Sequence, residues 1–343
     1  MPDINLTRRA LLAGAATLPL AGRLAQAEEQ VVVATWGGDY ANLLKDNIDD
    51  PLVKPLGITV VQDTGDEDPR VAKMVAQRRL PRGPDDVICL QAVRAYETEE
   101  MGLLDTIDES KIPNLKYVRP NLKTSFYAPH IFSPQVLIYN PEKVKEPPQT
   151  FTDLLDPKWK GKVGVGDVNY FYVMMAAAVA ATGDPNKVDT DEAKKMAMRL
   201  NDNGLRLYSS TDAIGAGVKS GEIDVGMIWL ARVNMWQNAG IPIKASFQKE
   251  GCILYVSGMV VPKNAPNKAG AYKWLNAMLQ PQAQQAFAEK MGYLPTVQNA
   301  PLTGKVGEQL ALPADLKLIP PDYSIVGKLQ GPTSDWWKKT MKS

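Results

Sequence analysis

Val31-Val32-Val33-Ala34-Thr35-Trp36-Gly37-Gly38-Asp39-Tyr40 is the stretch on which the fold turns. Its first half is a continuous run rich in β-branched residues, the pattern of a strand buried on both faces. A glycine pair then stops the strand. From Tyr40 to Asp50, Leu43, Leu44 and Ile48 recur at helical spacing. Outward from there, Gly57 to Val61 reads as a second strand. Asp68 to Leu80 reads as a helix with Val71, Met74 and Val75 on one face, and Asp86 to Leu90 as a third strand. The order βαβαβ predicts an α/β sheet with mostly parallel strands.

Residues 105–134 carry Pro113, Pro120, Pro129 and Pro134 and read as irregular. Val136 to Tyr139 is a strand, and a second α/β set follows it. Strands are expected at Lys162 to Gly166, Leu205 to Tyr208, Val225 to Trp229, Ile241 to Ala245 and Ile253 to Val261. Helices are expected at Tyr170 to Ala181, Asp191 to Leu200, Asp212 to Lys219, Pro266 to Leu279 and Pro281 to Met291, with Trp336-Trp337 in a last one. Two such sets predict two lobes with a cleft between them. Ile253 to Val261 is long enough to cross back to the first lobe. In open α/β sheets ligands sit beyond the carboxyl ends of strands, so strand-end residues are the place to look.

Composition narrows the function. The 343 residues are 45% hydrophobic and 22% charged, ordinary for a soluble globular chain. Lys and Arg number 39 against 38 Asp and Glu, a net charge of +1, so no basic surplus serves a nucleic acid. One histidine, His130, is a poor basis for a metal site or a His-based triad, and it reads as a structural loop residue. Cys89 and Cys252 lie in apolar runs and read as buried free thiols rather than a bridge. No G-x-S-x-G, P-loop or G-x-G-x-x-G occurs, which disfavours an α/β enzyme. No cofactor and no metal are expected.

Residues 1–27 read as an address. Arg8-Arg9 stands directly before the apolar run Ala10 to Ala21, and Ala25-Gln26-Ala27 is a cleavage signal. The run is shorter than the ~20 residues that span a bilayer. This pattern predicts a twin-arginine signal peptide. With no cysteine at the cleavage site to carry a lipid, it predicts release into a periplasm.

Five stretches carry a family resemblance: Thr35 to Tyr40, Leu137-Ile138-Tyr139-Asn140, Gly221 to Trp229, Val260 to Ala265, and Met291-Gly292-Tyr293-Leu294-Pro295. In this order and spacing the chain resembles the solute-binding proteins of ABC importers, in particular the spermidine- and putrescine-binding group. The resemblance implies a two-lobed flytrap fold with hinge-crossing strands. The implied lobes are residues 28–137 with 257–343, and residues 138–256. It also implies a small-molecule solute and a membrane permease as partners, and a monomer suits the closing movement. Trp36, Tyr40, Trp229, Tyr255 and Tyr293 match the family's binding aromatics, and Asp167 matches an acid of the second lobe. Ser257 stands where polyamine binders have an aspartate, which weighs against a long polyamine.

The residues themselves suggest chemistry, each with a plainer alternative. Trp36, Tyr40, Tyr170, Trp229, Tyr255 and Tyr293 form an aromatic cage for an amine, or pack the core. Gly38, between strand and helix, lets backbone N–H groups approach an anion, or makes a tight turn. Ser210 and Thr211 hold an anion or cap a helix. Asp39 and Asp167 pair with an amine; for Asp39 the alternative is a first-turn charge favoured by the helix dipole. Arg94 and Arg232 clamp a carboxylate, or form surface or interlobe ion pairs. Lys338, Lys339 and Lys342 read as a solvated face. The ligand classes rank as small amines and amino-carboxylates, then polyamines, then anionic or aromatic acids. A ligand-input protein for a membrane sensor would look the same.

Overall fold

The computed structural model describes residues 29–342; the expected signal peptide lies outside them. Strands β1 (Glu29–Thr35), β2 (Ile58–Thr64) and β3 (Val87–Gln91) form one half of the sheet system. They alternate with helices α1 (Asp39–Leu44), α2 (Glu67–Gln77) and α3 (Ala92–Glu100). β1 pairs in parallel with both β2 and β3, as the βαβαβ pattern requires. Val31, Val33 and Ala34 are fully buried, in keeping with a strand apolar on both faces.

The second half holds β5 (Val163–Gly166), β6 (Arg206–Tyr208), β7 (Val225–Trp229) and β8 (Lys244–Ser246). Its helices are α4 (Tyr170–Thr182), α5 (Asp191–Asp202), α6 (Thr211–Ser220) and α7 (Leu230–Asn238). α4 is buried without a break from Phe171 to Val179, as its apolar sequence predicts. Two long strands, β4 (Ala128–Tyr139) and β9 (Cys252–Val260), join the halves in the order β2-β1-β3-β9-β4-β7-β5-β6. β9 lies antiparallel to β3 and to the first part of β4, and the rest of β4 pairs with β7 and β8. The expected lobe boundaries, after 137 and 256, fall inside these two long strands.

The sequence expectation fails at the start of β4. The strand begins at Ala128, inside the region expected to be irregular, and runs through Pro129 and Pro134. Neither proline breaks it, for a local reason. Pro129 borders a bulge at His130, and Pro134 is the last residue paired with β9 before β7 becomes the partner at Gln135. At both places the ladder is already interrupted. His130 is therefore not a loop residue; it is a fully buried strand residue.

The chain ends with α8 (Lys268–Met278), α9 (Pro281–Met291), β10 (Leu294–Pro295), α10 (Gly304–Gln309), β11 (Leu318–Ile319) and α11 (Tyr323–Thr340). α11 packs on α3 of the first half and on α4 of the second. Lys328 pairs with Glu100 at 3.6 Å, and the Trp337 Nε1–H donates to Asp167 at 2.9 Å. Lys338, Lys339 and Lys342 are exposed, as expected, and Lys342 also pairs with Asp167 at 2.5 Å. Cys89 and Cys252 are buried and free. Among the described residues no helix is long and apolar enough to cross a membrane.

Candidate functional site

The carboxyl ends of β1, β3 and β7 converge on a cleft of about 520 Å³ between the two halves. Trp36 follows β1, Gln91 ends β3 and Trp229 ends β7, and all three line it. The strand register explains the aromatic wall. On β4, Ser133 faces Tyr255 of β9 on one side, and Gln135 faces Trp229 of β7 on the other. The two rings are thereby brought to 4.6 Å and stack at an interplanar angle of 25°. Tyr172 meets Trp229 edge-on at 4.5 Å, and Tyr293 continues the wall 6.2 Å from Tyr255.

The first half supplies Trp36 and Tyr40, edge to face at 5.2 Å. Tyr40 is anchored from behind: its hydroxyl and His130 Nδ1 share a hydrogen bond of 2.7 Å, and Phe287 packs on both rings. Burial holds the His130 imidazole down to about 3, so it stays neutral across the physiological range. Gly38, at φ 64°, carries the chain from β1 into α1 in a conformation that favours glycine.

Charges of both signs reach the cleft. Asp39 and Asp212 line it, both exposed, and Arg232 lines it from α7. Arg232 Nη1 stands 3.6 Å from Asp212 Oδ1, and its buried Nε has no hydrogen-bond partner. Burial raises the Tyr293 phenol, while the charge and hydrogen bonding of Arg232 oppose the rise. Asn169 contributes a buried Nδ2 that also lacks a partner. Such unpaired polar atoms are costly in a dry site and are natural contacts for a polar ligand. Among the described residues no group of three or more His, Cys, Asp or Glu could hold a metal ion.

The cleft gathers Trp36, Gly38, Asp39, Tyr40, Thr211, Trp229, Arg232, Tyr255 and Tyr293 from the sequence-based candidates. Four others lie off its lining. Arg94 is held within the first half, pairing with Asp68 at 2.7 Å and with Glu97. Asp167 is spent on Trp337 and Lys342. Tyr170 donates to the Gln330 carbonyl at 3.3 Å and packs on Trp337. Ser210 caps α6, accepting from the Ala213 N–H at 3.3 Å. Gln91, Ile131, Val168, Asn169, Asp212, Met235 and Met291 line the cleft without having been singled out. Gln91 ends a strand as Trp229 does, and that position alone was a usable signal.

Comparison with known proteins places this geometry in a family. The pattern of the family described as bacterial extracellular solute-binding protein matches residues 50–314. The spermidine/putrescine-binding periplasmic protein of Escherichia coli (strain K12) is 24% identical over 306 residues, covering 84% of this chain and 83% of that protein. Spermidine/putrescine-binding periplasmic protein 1 of Haemophilus influenzae is 26% identical over 311 residues, covering 87% and 82%. The solved structure of the Atu4243-GABA receptor aligns with a TM-score of 0.80 at 22% identity, over 91% of this chain and 98% of that one. The structural likeness confirms the two-lobed α/β fold.

Proposed function

We propose, for a chain that belongs to the bacterial extracellular solute-binding proteins, that it is the periplasmic solute-binding component of an ABC importer. It has no catalytic role in this reading. It takes a small amine or amino-carboxylate between its lobes, residues 28–137 with 257–343 and residues 138–256. The export route is the twin-arginine one, the working form a monomer, and the partner a membrane permease. The observation that carries the reading is the shared cleft: Trp36 and Trp229, from opposite halves, line one cavity together with Asp39, Asp212 and Arg232.

Each part of that lining has a use. Aromatic faces attract an ammonium by roughly 0.5–2 kcal/mol each and shed water from an apolar stem. Asp39 and Asp212 suit an amine, and Arg232 offers planar donors to a carboxylate. The ligands named for relatives, spermidine/putrescine and GABA, all carry an amine, which the acids and rings of this cavity suit. A few such contacts suffice for micromolar affinity, roughly −8 kcal/mol. A solute that touches both halves binds the closed form better and shifts the population towards it.

A thermal-shift screen of the chain lacking residues 1–27 tests the proposal. Small amines or amino-carboxylates are expected to raise the melting temperature. A rise with dicarboxylates or phosphates alone would replace this ligand class with an anionic one.

A further inference from the structure

Arg70, in the first turns of α2, is 5% exposed and has no carboxylate within ion-pairing distance among the described residues. Its Nη1 donates to the Gly65 carbonyl at 3.0 Å, while the buried Nε and Nη2 have no hydrogen-bond partner. The guanidinium carbon sits 5.0 Å from the centre of the Trp36 ring. A buried cation so poorly partnered costs stability. Glu67, three residues before it on the same helix, has its carboxylate accepting from the Gln91 N–H at 2.5 Å. Burial of that carboxyl lifts it to about 7, against the pull of the Gln91 N–H, Arg94 and Arg70, so near neutral pH it is an incomplete counter-ion.

These facts change what Trp36 offers a ligand. One face of the ring is already occupied by a cation, and the ring lines the cleft. A second cation brought to Trp36 would meet the guanidinium's repulsion across a poorly screened wall. The stacked Trp229 and Tyr255, on the other side, have no Lys or Arg over either ring among the described residues.

We propose that Arg70 is a specificity-determining residue that acts through Trp36: its guanidinium keeps a ligand ammonium off that ring and so selects solutes with one amine and one carboxylate end over diamines. The inference rests on the cleft being a binding site for amine solutes. It makes Arg70 a positioning and charge-setting residue rather than a ligand contact.

Two probes of equal chain length test it by calorimetry on the chain lacking residues 1–27: 4-aminobutanoate and 1,4-diaminobutane. The wild-type protein is expected to favour the first. Arg70→Gln should narrow that preference by roughly tenfold, mainly by strengthening the diamine, and Arg70→Lys should restore it. A structural role alone would weaken both probes equally and leave the ratio unchanged; that result overturns the inference. So does a wild-type preference for the diamine, which would leave the amine-binding reading of the cleft intact. A wild-type chain that binds neither probe sinks that reading and the inference with it.

Discussion

Trp229 serves the core and the cleft at once. It is only 5% exposed, yet it lines the cavity and stacks on Tyr255. Trp229→Ala should weaken solute binding by roughly tenfold or more, the loss of one good aromatic contact. It should also lower the melting temperature while leaving a cooperative transition, because a buried ring is lost. Calorimetry with unchanged affinity would remove Trp229 from the site. His130 gives a second prediction, in stability. Its imidazole drops from an ordinary value near 6.5 to about 3 in the folded chain. The unfolded chain therefore binds the proton first, so this contribution to stability is present above 6.5 and is lost as pH falls towards 3. Urea unfolding between those limits should show a steeper loss for the wild type than for His130→Gln. Equal slopes would mean that His130 is protonated where it stands.

Among the elements, α11 separates structural from binding residues. Asp167 and Tyr170 look like cleft residues in the sequence because they begin the second lobe's first helix after a strand end. In the fold they are covered by α11: Asp167 accepts from Trp337, 170 positions away, and Tyr170 donates to Gln330. Asp167→Ala should therefore cost about 1–2 kcal/mol in denaturant unfolding and leave solute affinity within roughly twofold. A tenfold loss of affinity would return Asp167 to the site. The same contrast explains what was legible. β1, β3 and β7 announce themselves as apolar runs, and the residues at their ends could be placed at the cleft by position alone. The end of β4, Val136 to Tyr139, was legible, but its first part was hidden by Pro129 and Pro134, whose tolerance depends on a bulge and on a change of partner strand. Docking of α11 is a contact between distant parts of the chain, and no local pattern encodes it. The cation over Trp36 was invisible for the same reason, since Arg70, on α2, and Trp36, after β1, meet only in the folded chain.

At the scale of the whole molecule, the path of the chain matters most. Among the described residues β4 alone pairs in both sheet halves, its first part with β9, which lies against β3, and its last part with β7 and β8; β9 and β4 are neighbours at the centre of the strand order. α11 ties the halves together through α3 and α4. In the proposed binding reading, bending at these few elements moves one half against the other. Solution X-ray scattering, with and without a solute that the thermal-shift screen shows to bind, measures that movement directly. A smaller radius of gyration is expected at saturating solute, with the change reduced in Trp229→Ala at the same solute concentration. A scattering profile that stays the same while calorimetry shows full occupancy would contradict it.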